Sequence, residues 1–411
     1  MRFNTALLHG DFRGDKKTGA TQTPVYQSSA FEHASAETLE KIFNNKAPGF
    51  SYSRISNPTV DAFERRMTAL EGGIASVSCA SGMAAITNAF TNILRSGDEI
   101  VCSASLYGGS IDLFRDLENF GIKTHYVENN NIEQFEAATN DNTRLYFAET
   151  IGNPRLDVTD IKLLSETAHK AGVPLIVDNT VATAYLIKPI EYGADIVVNS
   201  TSKYVNGNSN SISGVITDSG NFKWDSVKYP GMKEYAKFGP YAYTAKLRND
   251  IYRNTGACLS PQNAFYNILG IETLGLRMER ITDNALKLAE YLDTNYSFLN
   301  VNYPGLKSSE FHAIADKELN NGYGGIITIR TGSKENAFKF INALKLPLNV
   351  SNIGDTKTLV IHPGSTISAH STEEEKKIAG VFDDLVRISV GIEDIEDLIE
   401  DFTQAVEFIQ Q

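Results

Sequence analysis

Cysteine is scarce in this chain: Cys79, Cys102 and Cys258 are the only three, and no Cys-x-x-Cys pair occurs. An odd, scattered set of this kind builds neither a secreted disulfide framework nor a zinc site. Basic residues are in deficit, with 38 Lys and Arg against 50 Asp and Glu and a net charge of −12. That balance argues against a protein that grips a nucleic-acid backbone. No apolar run approaches the roughly 20 residues of a membrane-spanning helix. The opening segment from Met1 to Asp11 has no apolar stretch of the secretory-leader type. No GxGxxG follows an early strand, which disfavours a dinucleotide-dependent dehydrogenase. No internal repeat or low-complexity tract stands out. These absences leave a soluble cytoplasmic protein, expected to be an enzyme, with no membrane or nucleic-acid partner.

What is present is an ordinary globular composition, 42% hydrophobic and 21% charged over 411 residues. That is enough chain for two or three domains at roughly 150 residues each, and enough to bury a large core without staples. The first 55 residues show neither helical nor strand period. Such an arm cannot bury itself and is expected to lie on another surface. Asn57-Pro58 opens a helix with proline at its first position; Val60, Phe63, Met67 and Leu70 keep helical spacing, and Gly72-Gly73 ends it. A second helix follows Ser81-Gly82. Short apolar runs at 99–102, 124–127, 144–148, 174–177 and 195–198 then alternate with helical stretches such as 132–139 and 161–171. This pattern predicts an α/β fold with a mostly parallel sheet covered on both faces, closed by a run at 213–217. After about residue 255, a long helix through Ile268, Ile271, Leu274, Met278, Ile281, Leu288 and Leu292 leads to strands at 325–329, 358–361 and 386–390. A last amphipathic helix covers 395–409. The expected organisation is an arm (1–55), a large domain (56–254) and a smaller α/β domain (255–411).

Ligands of open parallel α/β sheets bind beyond the carboxyl ends of the strands. Two strands place chemistry there. The run 174–177 ends in Asp178-Asn179-Thr180, and 195–198 ends in Asn199-Ser200-Thr201-Ser202-Lys203. Alone, Asp178 reads as a turn or cap residue and Lys203 as a solvated loop lysine. At successive strand ends they call for a joint explanation. Pyridoxal phosphate provides one, because it needs a lysine amine for a Schiff base and an anion at its ring nitrogen. Its phosphate needs a helix N-terminus and hydroxyl donors, which Ser81-Gly82-Met83, Ser200 and Ser202 can supply.

Six motifs in order carry a resemblance across nearly the whole chain. They are Tyr52-Ser53-Arg54-Ile55-Ser56-Asn57-Pro58-Thr59, Ser81-Gly82-Met83-Ala84-Ala85, Asp178-Asn179-Thr180, Ser200-Thr201-Ser202-Lys203, Ile361-His362-Pro363-Gly364-Ser365 and Arg387-Ile388-Ser389-Val390-Gly391-Ile392-Glu393. Together they resemble the Cys/Met-metabolism pyridoxal-phosphate enzymes. That family has the fold-type-I, aspartate-aminotransferase-like architecture with a smaller C-terminal α/β domain. The resemblance implies Lys203 as Schiff-base lysine and proton shuttle, and Asp178 as partner of the ring nitrogen. It implies Tyr107 stacked on the ring and aiding proton transfer. Ser81, Gly82, Met83, Thr180, Ser200 and Ser202 would join the cofactor-binding set. Tyr52 and Arg54 would hold the phosphate of a neighbouring subunit in a homotetramer built from dimers. Arg387 would take the substrate α-carboxylate in a two-pronged fork, with Ser351 and Asn153 nearby and Glu149 in a supporting position. His362 and His370 lack acidic or cysteine partners at ligand spacing, so no metal is expected.

Family members share this machinery and differ in reaction. The stretches 260–280 and Asn352-Ile353-Gly354-Asp355-Thr356-Lys357, together with Gly109 where methionine γ-lyases carry cysteine, resemble the branch that replaces the γ-acetoxy group of O-acetylhomoserine by sulfide or a thiol in methionine biosynthesis. Thr201-Ser202, Asn208 and Gly364 depart from common family residues, and the chain is shorter than many of that branch between 220 and 245. The alternatives are methionine or cystathionine γ-lyase, cystathionine γ-synthase, and a non-catalytic protein that kept the fold.

Overall fold

The computed structural model describes residues 1–10, 14–15, 17–369 and 371–410. His370 lies outside the described residues. Seven strands form the larger sheet: β1 (Ala75–Cys79), β2 (Glu99–Ser103), β3 (Lys123–Val127), β4 (Thr143–Glu149), β5 (Leu175–Asp178), β6 (Ile196–Asn199) and β7 (Gly214–Asp218). Their order is β1-β7-β6-β5-β4-β2-β3. The five from β6 to β3 run parallel, and β7 is antiparallel to both β6 and β1.

Side chains alternate across a strand, and this alternation divides two cores. Tyr146, Ala148, Leu175, Val177 and Val197 enter one apolar cluster, whereas Leu145, Phe147, Ile176, Ile196 and Val198 enter the other. Helix α1 (Phe3–His9) and helix α3 (Pro58–Glu71) serve the first face, flanking the separate α2 (Ala36–Phe43) in sequence. Helices α4 (Gly82–Thr91) and α5 (Gly108–Glu118) cover the second, where Phe90, Phe114 and Phe147 meet with ring centroids 5.2 to 5.7 Å apart. The predicted caps hold. Asn57 accepts from the Thr59 N–H at 2.9 Å, Ser81 caps α4 through the Ala84 N–H at 3.0 Å, and Gly72 ends α3 in the left-handed region at φ 78°.

A second sheet holds β8 (Ile326–Arg330), β9 (Leu348–Asn349), β10 (Leu359–Ile361) and β11 (Leu385–Ser389) in the order β8-β11-β10-β9. It packs with the helices Leu274–Asn295 and Ile395–Gln410 in a third apolar cluster. Among the described residues no helix is long and apolar enough to cross a membrane.

Three expectations need correction. The arm is not wholly irregular. The α1 helix buries Leu7 against the helices that follow, and α2 is capped by Ser35, whose oxygen accepts from the Thr38 N–H at 3.2 Å. No residue of α2 is buried. The single long helix after 260 is two, Pro261–Glu272 and Leu274–Asn295, parted at Thr273. The buried Arg277 explains the break: it donates to Gly270 O at 2.7 Å and Thr273 Oγ1 at 3.1 Å, and to Tyr204 O at 2.6 Å. Its guanidinium thus satisfies carbonyls at the broken end and clamps the segment that follows Lys203. The two-residue β9 is too short to leave a period in the sequence.

Candidate active site

A cavity of about 380 Å³ opens where the carboxyl ends of β4, β5 and β6 face the second sheet. It is lined by Ser81, Gly82 and Met83 from the start of α4, by Tyr107, Glu149 and Asp178, by Thr180, Ser200, Ser202 and Lys203, and by Asn153, Ser351 and Arg387. All the sequence-predicted site residues are therefore together except Tyr52 and Arg54. Those two lie outside the cavity of their own chain: Tyr52 is exposed, and Arg54 is exposed with its Nη1 donating to Arg253 O at 2.6 Å.

The strand ends are cross-tied. Asp178 Oδ1 accepts the Thr180 N–H at 2.8 Å, and Thr180 Oγ1 accepts the Ser200 N–H at 2.8 Å. Glu149 and Asp178 sit opposite each other in register on β4 and β5. Glu149 accepts the Tyr107 N–H at 2.5 Å and so fixes the start of α5, where the tyrosine ring stands at the cavity. Burial raises both carboxyls, and Asp178 adds to the rise at Glu149. A protonated ring nitrogen placed against Asp178 would supply the missing positive charge. At Gly109 an added Cβ would stand 2.5 Å from the Tyr107 ring, so a side chain there would move the tyrosine.

Lys203 donates to Asn352 Oδ1 at 2.6 Å. Burial, assisted by Arg387, lowers its pKa to about 8. The amine is therefore available unprotonated far more often than an ordinary lysine. Arg387, in the middle of β11, is 3% exposed. It donates to Asn153 Oδ1 at 3.2 Å and to Asn352 O at 3.1 Å, and among the described residues no carboxylate pairs with it. Burial lowers its pKa to about 10. A buried guanidinium held only by neutral oxygens is a ready receptor for a carboxylate.

The opposite end of the cavity suits a phosphate. First-turn N–H groups of a helix have no intrahelical partner and attract anions. A Cβ at Gly82 would lie 2.5 Å from Ser200 Cβ and 2.7 Å from its Oγ, so glycine lets the helix start and the β6 loop close on one another. Ser202 is less free than the sequence suggests. Its Oγ donates to Ser213 O at 3.0 Å and accepts the Ser213 N–H at 2.8 Å, which leaves it an acceptor toward the cavity unless it rotates. His362 is engaged by Ser365 Oγ and by Asp383 O, both at 2.8 Å, and packs edge-on against Phe338. Asn352 was not foreseen as a site residue. Its neighbour Ser351 was, and the shared loop was the available signal.

The donor set, the lysine and the acid thus fit pyridoxal phosphate. Replacing Gly82 by alanine is expected to push the start of α4 and Ser200 apart, lowering the melting temperature of the cofactor-free chain and weakening cofactor binding by about tenfold or more, a loss of about 1.4 kcal/mol. Titration of the stripped protein with pyridoxal phosphate, followed by its visible absorption, checks this; unchanged affinity would remove the phosphate from this end of the cavity.

Comparison with known proteins agrees with this geometry. The family model described as Cys/Met metabolism PLP-dependent enzyme matches residues 4–407. The O-acetyl-L-homoserine sulfhydrylase of Corynebacterium glutamicum is 43% identical, the match covering 97% of this chain and 95% of that one. The homocysteine synthase of Schizosaccharomyces pombe is 40% identical over 98% of both chains. The crystal structure of a putative O-acetylhomoserine (thiol)-lyase from Campylobacter jejuni, which carries a pyridoxyl-lysine phosphate, superposes with a TM-score of 0.94 at 32% identity, covering 99% of this chain and 100% of that one. The architecture is that of fold-type-I pyridoxal-phosphate enzymes. The chain belongs to the Cys/Met metabolism PLP-dependent enzyme family, and pyridoxal phosphate is its cofactor.

Proposed function

We propose that the enzyme replaces the γ-acetoxy group of O-acetyl-L-homoserine by sulfide or methanethiol, giving homocysteine or methionine and releasing acetate. The observation that carries this reading is the set of relatives named for that reaction, 38 to 43% identical over at least 97% of this chain. The site geometry supports the chemistry. When bound, pyridoxal phosphate draws electrons from the amino acid and so acidifies its Cα and Cβ hydrogens. Arg387 holds the α-carboxylate, which fixes the amino acid relative to Lys203. Lys203, with its lowered pKa, takes the Cα proton and then moves a proton at Cβ. Asp178 would keep the ring nitrogen of the bound group protonated, and Tyr107 would lie over its ring. Acetate leaves from Cγ with the electrons of its C–O bond, and the sulfur nucleophile forms the new C–S bond at the same carbon.

The test is turnover of O-acetyl-L-homoserine with and without sulfide, measuring homocysteine and 2-oxobutyrate together. Homocysteine that depends on sulfide, with little 2-oxobutyrate, is expected. Release of 2-oxobutyrate irrespective of sulfide, or turnover of methionine or cystathionine instead, would assign a γ-lyase.

The second part of the proposal concerns assembly. Tyr52 and Arg54 complete the phosphate site of a neighbouring copy in a homotetramer built from dimers. Their exposure, and the absence of any buried residue in α2, support an arm that finds its partner on another subunit. Mixing Arg54→Ala with Lys203→Ala protein should restore activity toward one quarter of the wild-type value, as hybrid dimers regain one intact site of two. No recovery after demonstrated subunit exchange would contradict sharing.

A further inference from the structure

Lys203 is the first member of a hydrogen-bonded chain that runs out of the cavity. Its Nζ donates to Asn352 Oδ1 at 2.6 Å, Asn352 Nδ2 donates to Ser209 Oγ at 2.9 Å, and Ser209 Oγ donates to Asp355 Oδ2. The far end is firmly anchored. Asp355 is 4% exposed, and its Oδ1 accepts from the Lys357 N–H at 3.0 Å and from Lys357 Nζ at 3.1 Å. Burial opposes its charge, but the hydrogen bonds from Ser209 and Lys357 outweigh burial and hold its pKa below the usual value. The Thr356 N–H donates to Gly207 O at 3.0 Å, which ties the loop of Asp355 to the segment after Lys203.

The two ends of this chain dictate its direction. A lysine ammonium only donates, and a carboxylate only accepts. With Asp355 charged, the Ser209 hydroxyl points its hydrogen at the carboxylate and offers a lone pair to Asn352. The Asn352 amide must then turn its nitrogen to Ser209 and its oxygen to Lys203. Ser209 sits at φ 53°, a left-handed conformation uncommon outside glycine, at the turn that places its hydroxyl between Asn352 and Asp355. The Asn352 carbonyl meanwhile accepts from Arg387 at 3.1 Å. One residue thus touches both the proton-carrying amine and the carboxylate receptor.

We propose that Asp355 is a positioning residue for Lys203: through Ser209 it sets the orientation of the Asn352 amide, which presents an oxygen to the amine whenever Lys203 is free of the cofactor. This rests on Lys203 being the cofactor-linking lysine. An amine on four rotatable bonds needs such a docking point to return to the same place in each turnover. A flipped amide would offer N–H to N–H, releasing the amine and disfavouring its protonated form. Other charged or titratable groups around Lys203 are Arg387, Asp178, Glu149, Tyr107 and Tyr204, and those near Asp355 are Lys357 and Arg277. None is altered by the variants below.

Asp355→Asn reverses the chain. Its one oxygen stays with the two Lys357 donors, its nitrogen turns to Ser209, and the serine hydrogen, no longer held by a carboxylate, is freed to point at Asn352. Ser209→Gly deletes the link, and glycine suits φ 53°, so this variant is expected to fold even if the first does not. Competitive acetylation of the cofactor-free full chain across pH, read by mass spectrometry at Lys203, gives the titration midpoint of the amine. Deuterium exchange at Cα of L-norvaline, which has no leaving group, gives proton transfer in the holoenzyme.

In both variants the midpoint should fall below the wild-type value by about half a unit or more, since the Asn352 oxygen is no longer held toward the ammonium. Exchange should slow by roughly tenfold, while cofactor absorption stays as in the wild type. Wild-type midpoints and exchange rates in folded variants would overturn the proposal. If wild-type Lys203 carries no cofactor linkage, the underlying assignment fails, and the proposal with it.

Discussion

The site depends on one buried carboxylate that lies outside the cavity. Glu71, the last residue of α3, accepts the Asn199 amide at 2.9 Å and the Asn179 amide at 3.3 Å. Those asparagines follow or end β5 and β6, one residue from Asp178 and one from Ser200. Burial raises the Glu71 pKa to about 7, with the two amides pulling in the other direction. A solvent-facing loop would let the two strand ends separate. This tie holds them at one spacing, and Thr180 and Arg277 add further links on either side. Asp178 and Lys203, the proposed partners of the ring nitrogen and of the aldehyde, are thereby presented as a unit.

Around that unit the protein has concentrated charge in a place where charge is costly. Lys203 and Arg387 are both pushed toward neutrality by burial, and Glu149 and Asp178 are both pushed the same way from the other side. On the proposed reading two of them would gain an opposite charge from a ligand: Asp178 from a ring nitrogen and Arg387 from a carboxylate. Binding therefore relieves desolvation already imposed by folding, which is how a preorganised site favours its ligands. The larger sheet brings Asp178 and Lys203 to the cavity, and the second sheet brings Arg387. Asn352 spans the gap between them.

Much of this was legible before the structure. Alternating strands and helices predicted the parallel sheet, and the rule that ligands sit at strand carboxyl ends located Asp178 and Lys203 without any relative. The helix start after Ser81-Gly82 and the stop at Gly72-Gly73 are local signals and were read correctly. What escaped depends on contacts distant in sequence. Asn352 meets Lys203 across 149 residues, and Ser209 meets Asp355 across 146. No spacing rule reaches that far. The break at Thr273 comes from Arg277 binding backbone carbonyls, a use of arginine that leaves no period. The α2 helix left a local signal that was missed: Ser35 at its cap and Leu39, Ile42 and Phe43 at helical spacing.

The account stands on the claim that the strand-end lysine, and no other, holds the cofactor. Borohydride reduction of the cofactor-loaded protein, digestion and mass-spectrometric mapping would test it most directly. One pyridoxyl group per chain, located on Lys203, is the predicted result. Attachment at a different lysine, or a fully loaded protein with no covalent attachment at Lys203, would contradict it.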